Sequence, residues 1–153
     1  HPEGNKDIDK DGSLEKTINA LKIKQTFAKK TKLQIGITTQ FCFDLRPVME
    51  WLEVLESEQI NLPISLGLVG PTKLQALIKY AIMCGVGPSI SVLKKRAKDL
   101  TKLLLPFEPT EMIDDLNSNK KNKLFKNVHS LHFFPLGGIE ASAAFARNID
   151  TPA

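Results

Sequence analysis

Three aspartates, Asp7, Asp9 and Asp11, alternate in the stretch "DIDKDGSLEKTI" (residues 7–18), and Gly12 follows them. Carboxylates at the first, third and fifth positions with glycine at the sixth are how an EF-hand loop begins to wrap a calcium ion. That loop closes with a bidentate Glu at its twelfth position. Here the twelfth residue is Ile18, which has no side-chain oxygen. The residues ahead of the loop, "HPEGNK", carry Pro2 and Gly4 and are poor material for an entering helix. The stretch therefore reads as an acidic turn that opens a helix, and calcium binding is not expected. Gly12 turns the chain, Ser13 caps, and the helix starts at Leu14 with the acids near its positive end.

Other familiar chemistries find little support. Cys42 and Cys84 both lie in apolar surroundings, with no CxxC pair and no Cys/His cluster to suggest zinc. Two buried free thiols and a reducing cytoplasm are expected. His129 and His132 have no Asp or Cys partner in the local sequence, so a structural role is expected for them. The net charge is +4, and lysines gather in "LKIKQTFAKKTK", "LKKRAKDLTK" and "NKKNKLFK". Phe27 and Phe125 are single aromatic residues among these charges and form no series to stack successive bases, so solvated helix faces are expected in place of a nucleic-acid site.

These residues need a scaffold to hold them. The chain has 153 residues, 42% hydrophobic and 25% charged, which is ordinary for one globular domain with a core of its own. No apolar run is long enough to span a bilayer, and no signal-peptide pattern is present. The chain starts with His, so a processed chain or a piece of a longer one is expected.

Apolar, β-rich segments at 33–43, 62–70 and 128–136 predict three buried strands; "GVGPSIS" (85–91) reads as a loop or a weak fourth. Helical spacing predicts a helix over 14–30 with Leu14, Ile18, Leu21 and Ala28 on one face. A second helix places Pro47 in its first turn and Val48, Trp51, Leu52 and Leu55 on one face. A third starts at a Thr72 cap and ends at Gly85; "ISVLKKRAKDLTKLLL" follows. Another is capped by Thr110, and a last runs over 139–147. Continuously apolar strands alternating with helices predict parallel strands covered by helices, a βα-repeat architecture. In a (β/α)8 barrel, functional groups cluster past the strand C-termini. Those ends here read "TQFCFD", "GLVGPT" and "FFPLGG". Such a barrel has eight strands in about 250 residues, so this chain holds only part of one.

The order "HPEGN", "LKIK", "ITTQFCFD", "ISLGLVGP", "LIKYAIMCGVG", "LHFFPLGG" resembles the methylenetetrahydrofolate reductase family over nearly the whole chain, with "TQFCFD" and "HFFPLGG" its most specific pieces. The resemblance implies a single partial domain over 1–153: the C-terminal portion of a (β/α)8 TIM barrel, about strands 6–8 with their helices. It implies a cytoplasmic oxidoreductase of one-carbon metabolism and methionine biosynthesis. With FAD as cofactor and NAD(P)H as co-substrate, it would reduce 5,10-methylenetetrahydrofolate to 5-methyltetrahydrofolate. The complete protein is expected to form a homo-oligomer, with no nucleic-acid or membrane partner; this chain alone is expected to be inactive. A non-redox folate-binding protein and a methyltetrahydrofolate-linked demethylation protein on the same barrel are the alternatives.

The resemblance implies substrate contacts by Gln40, Phe41 and Tyr80. Gln40 stands where the family's Gln meets the pterin, whose mixed edge suits an amide that both donates and accepts. Phe41 flanks it; alternation sends the ring to the opposite face, so one of Phe41 and Phe43 is expected to be core. Tyr80 stands where the family has a stacking Phe, and either stacks or lies half in the core. A second family Gln aligns with Ala76. For the flavin, the resemblance implies His1, Asn5, Thr17 and Lys24, although His1 replaces a Tyr, Asn5 a His and Thr17 an Asp. Gly137 and Gly138 replace an Asn-Arg pair and would let backbone approach a ligand closely. The family's proton-donating Glu and flavin-ring Asp belong to earlier strands and have no counterpart in this sequence.

Overall fold

The computed structural model describes residues 1–5, 7–85 and 105–149. Within them the architecture is mixed α/β, with a small parallel sheet of three strands. In chain order the elements are α1 (Glu15–Thr31), β1 (Ile37–Phe41), α2 (Leu45–Ser57), β2 (Ile64–Val69), α3 (Leu74–Met83), α4 (Thr110–Asn119), a 3-10 turn (Lys123–Asn127), β3 (Val128–Phe134) and α5 (Ile139–Asn148). The sheet order is β1-β2-β3 and both pairings are parallel. The segments "GVGPSIS" and "ISVLKKRAKDLTKLLL", apart from Gly85 and Leu105, lie outside the described residues.

α2 shows how the pattern becomes packing. The Asp44 carboxylate accepts a hydrogen bond from the Arg46 amide at 2.9 Å and caps the helix. Pro47 sits in the first turn, where an amide has no helical partner in any case. Val48, Trp51, Leu52 and Leu55 are all buried, as their spacing predicts, against Ile64, Leu66 and Leu68 of β2. Ile18 of α1 and Met112, Ile113 and Leu116 of α4 complete this core. A second, smaller core lies at the C-terminal end of the sheet, where Phe41, Val69, Leu74, Leu77, Ala81 and Phe107 meet.

The helix starts correct three expectations. Ser13 accepts only a long bond from the Glu15 amide (3.3 Å), and α1 begins at Glu15 with Leu14 at φ 60°. The cap comes from farther back: the Asp9 carboxylate accepts from the Lys16 amide (2.9 Å), the Thr17 amide (3.3 Å) and the Thr17 hydroxyl (2.8 Å). The acidic turn is thus a helix cap built across the loop. Thr72 does not cap α3. It is buried, and its backbone pairs in both directions with Phe107. Thr110 is the first residue of α4, preceded by Pro109, and makes no capping bond.

The strands also differ from the expectation of uniform burial. β2 is paired on both sides and buried at every residue except the half-buried Ser65. β1 and β3 are edges and bury one face only. Ile37, Ile64, Leu66, Leu68, Leu131 and Phe133 look toward the helical core. Thr38, Ser65, Ser130 and His132 lie on the other face, with Thr38, Ser130 and His132 exposed. The Ser65 and Ser130 hydroxyls share a hydrogen bond of 2.7 Å across that face. Among the described residues, no helix is long and apolar enough to cross a membrane.

Candidate functional site

Two places collect the candidate residues: the C-terminal end of β1, and a cavity along its free edge.

The end of β1 is irregular. Thr38 is in register with Ser65, but Phe41 is in register with Gly67, so β1 takes one more residue than β2 to cover the same step. This is a β-bulge, uncommon in a parallel pair. Its consequence is a break in alternation. In a regular strand Thr38 would share its face with Gln40, and Phe41 would turn toward the helices. Across the bulge Phe41 joins the face of Gly67 instead, in contact with the ring of Phe134. Gln40 itself sits within the bulge, half-buried, and its side-chain oxygen accepts from the Phe41 amide at 3.2 Å. One lone pair of the amide oxygen is thereby committed, and the NH2 group keeps its donors for another partner.

The bulge is held by Thr39, a residue without a role in the sequence reading. Its hydroxyl accepts from the Gly67 amide at 2.8 Å and donates to the Gln40 carbonyl at 2.9 Å. Gly67 is required there, because a Cβ would lie 2.5 Å from the Thr39 carbonyl oxygen.

Phe41 is 1% exposed and packs edge-on against Phe43 and Phe134. Its ring has no open face for a ligand, so its place is the small core. Phe43 is half-buried and meets Phe107 edge-on. Tyr80 is exposed on the flank of α3, away from that helix's buried residues Leu74, Leu77 and Ala81. Cys42 is buried and donates to the Gln40 carbonyl at 3.4 Å. Burial, helped by the Glu3 carboxylate, pushes its thiol up to about 12, which makes it an inert packing group. Cys84, expected to be buried, is only partly so.

Three of the four flavin candidates line one cavity of about 330 Å3. His1, Thr17 and Lys24 meet there with Trp51 and with consecutive residues 35–39. Successive residues of a strand point to opposite faces, so a cavity touching all of them runs along the strand's edge. The His1 Nε2 and Trp51 Nε1 atoms are buried beside it with no hydrogen-bond partner among the described residues. Asn5 lies apart; its side-chain oxygen accepts from the Asp7 amide at 2.8 Å.

This arrangement fits FAD poorly. The cavity is at the small end of ligand pockets, about 300 to 1,000 Å3. It follows β1 back to residues 35–36, away from the strand C-termini where a barrel binds its cofactor. The Thr17 hydroxyl is already bonded to Asp9. An edge-long slot suits an additional strand, which would pair with the free backbone edge of β1.

Gly137 corrects a further expectation. The Pro71–Thr72 backbone packs against it, and a Cβ at this position would lie 2.9 Å from the Thr72 Cα. The close approach that glycine permits is used by the chain itself. Gly138 takes φ 116° to start α5. His132 is exposed and stands edge-on to Phe134, with ring centroids 4.8 Å apart. Among the described residues, no group of His, Cys, Asp or Glu could hold a metal ion. No protein-family model matches the sequence.

Proposed function

We propose that this chain is the C-terminal portion of a (β/α)8 barrel of the methylenetetrahydrofolate reductase kind, supplying about its last three strands. The complete protein would use FAD and NAD(P)H to reduce 5,10-methylenetetrahydrofolate to 5-methyltetrahydrofolate. The observation that carries the reading is topological. Three consecutive parallel strands lie side by side in chain order, with helices packed on one face and a polar row on the other. Successive βα units of a barrel have this arrangement. The edge cavity beside β1 supports it further, as the place for a preceding parallel strand.

In this reading Gln40 recognises the pterin. Its NH2 group donates to an acceptor on the ring edge, while the bond to the Phe41 amide fixes the orientation of the side chain. Tyr80 offers an exposed ring for stacking. The poor fit of the cavity lined by His1, Thr17 and Lys24 to a dinucleotide argues against those residues as the flavin site, which would fall to other parts of the complete protein. The same poor fit favours, as the second reading, a folate-binding or methyltetrahydrofolate-linked demethylation protein that does no redox chemistry.

Replacing Gln40 with Leu in the complete protein tests the assignment. Loss of a hydrogen bond to a bound polar group costs about 1 to 3 kcal/mol, so folate should bind roughly 5- to 100-fold more weakly. Bound FAD and its reduction by the nicotinamide should change little. Equal loss of both half-reactions, or loss of FAD on purification, would make Gln40 a structural or flavin residue. A complete protein that binds folate but never carries flavin would select the second reading.

A further inference from the structure

We infer that Thr39 is a positioning residue that sets Gln40 for substrate; the inference rests on the folate reading of Gln40 given above. A regular strand would not present Gln40 as the structure does. The bulge between Thr38 and Phe41 makes the difference, and it needs a reason to persist. A bulge pulls a strand carbonyl away from its ladder partner and leaves an amide to be satisfied elsewhere. Here the Gly67 amide finds the Thr39 hydroxyl, at 2.8 Å.

The same hydroxyl donates to the Gln40 carbonyl at 2.9 Å, so one oxygen ties the neighbouring strand to the backbone of the proposed recognition residue. Thr39 is 3% exposed and β-branched, which restricts the hydroxyl to few rotamers and shields both bonds from water. The Cys42 thiol adds a second, weaker donor to the Gln40 carbonyl. The Phe41 amide donates to the Gln40 side-chain oxygen. Backbone and side chain of Gln40 are thus both held by hydrogen bonds, and the Thr39 hydroxyl joins that backbone to β2 across the bulge.

The test uses the complete protein with 5-methyltetrahydrofolate as the titrated probe, and four variants: Thr39→Val, Thr39→Ser, Gln40→Leu and the Thr39→Val/Gln40→Leu double. Val keeps the shape of Thr without its hydroxyl; Ser keeps the hydroxyl. Thr39→Val should weaken folate binding about 5- to 10-fold, the equivalent of one lost hydrogen bond, with nicotinamide-driven flavin reduction unchanged. Thr39→Ser should restore binding. On the Gln40→Leu background Thr39→Val should cost nothing more, because Thr39 acts through the side chain already removed.

If Gln40→Leu alone leaves folate binding intact, the folate reading of Gln40 fails, and this inference with it. Should Gln40→Leu weaken binding while Thr39→Val does not, only the positioning inference is overturned. An additive loss in the double variant overturns it in the same way. Where Thr39→Val does not fold, Thr39→Ala removes the same hydroxyl and should show the same pattern. Failure of both to fold, beside a fully native Thr39→Ser, would make Thr39 a folding element and overturn the inference.

Discussion

The central strand and its two neighbours belong to one parallel sheet, yet they have different jobs. β2 is hydrogen-bonded on both sides, and Ile64, Leu66, Leu68 and Val69 are each no more than 1% exposed. Among the described residues β1 and β3 each leave one edge unpaired, and each has a cavity of about 330 Å3 beside it. The cavity at β3 touches consecutive residues 128–131 together with Leu116, Phe125 and Ile149, matching the strand-edge pattern at β1. Stability is concentrated in the middle of the sheet. The proposed recognition residue, Gln40, lies on β1 at an edge, where the backbone has freedom to bulge.

The largest expected effect concerns those edges. Unpaired parallel strands invite pairing with other chains. The isolated chain should run as aggregate or as a molten species by size-exclusion chromatography and near-ultraviolet circular dichroism. A monodisperse monomer with one sharp cooperative melt would show the edges to be finished surfaces and would end the barrel reading. The next effect is a contrast between strands in the complete protein. Leu66→Ala in β2 removes a fully buried side chain and should cost about 2 to 5 kcal/mol in denaturant titration. Leu131→Ala on β3 removes a half-buried one beside a cavity and should cost less, about 1 kcal/mol. Equal costs would mean that β3 is as tightly held as β2.

A smaller effect separates α1 from the sheet. Burial alone would push the Asp9 carboxyl up, but hydrogen bonds from the Lys16 amide and from the Thr17 hydroxyl and amide outweigh it. They hold Asp9 below the ordinary carboxylate range. A folded-state value below the unfolded one stabilises the fold above the unfolded pKa of about 3.9, and that contribution disappears as pH falls through the folded value. Native-state hydrogen exchange should therefore show α1 amides losing protection below about pH 4, before those of α2 do. Asp9→Ala should bring the same loss at neutral pH; unchanged protection would deny Asp9 its capping role. The smallest effect is expected from calcium. With Asp9 bonded to the helix start and Ile18 at the closing position, calorimetry on the complete protein should show no binding at micromolar calcium. Micromolar affinity lost on changing Asp7 and Asp9 would reverse that.

Wherever local spacing alone decides, the sequence was a good guide. Four apolar residues at helical intervals told which face of α2 is buried, because a helix turns by the same amount at every residue. Three runs of β-branched and aromatic residues located the strands to within a few positions, and the intervening helices implied parallel pairing. The absence of Glu at position 18 was enough to read the acidic turn as a helix opening. Other features depend on residues that only the folded chain brings together. Asp9 caps a helix that starts six residues later, because the loop between them folds back; nearest-neighbour logic pointed to Ser13. Thr72 and Gly137 looked like a cap and a ligand cradle, but backbone from Phe107 and from Pro71–Thr72 occupies those places. Phe41 became core, and Gln40 acquired its orientation, through a bulge set by Thr39 and Gly67, residues 28 apart in the chain. Periodicity reports which face an element buries. It carries no information on which distant amide or carbonyl a side chain will meet, and those meetings shape the candidate site.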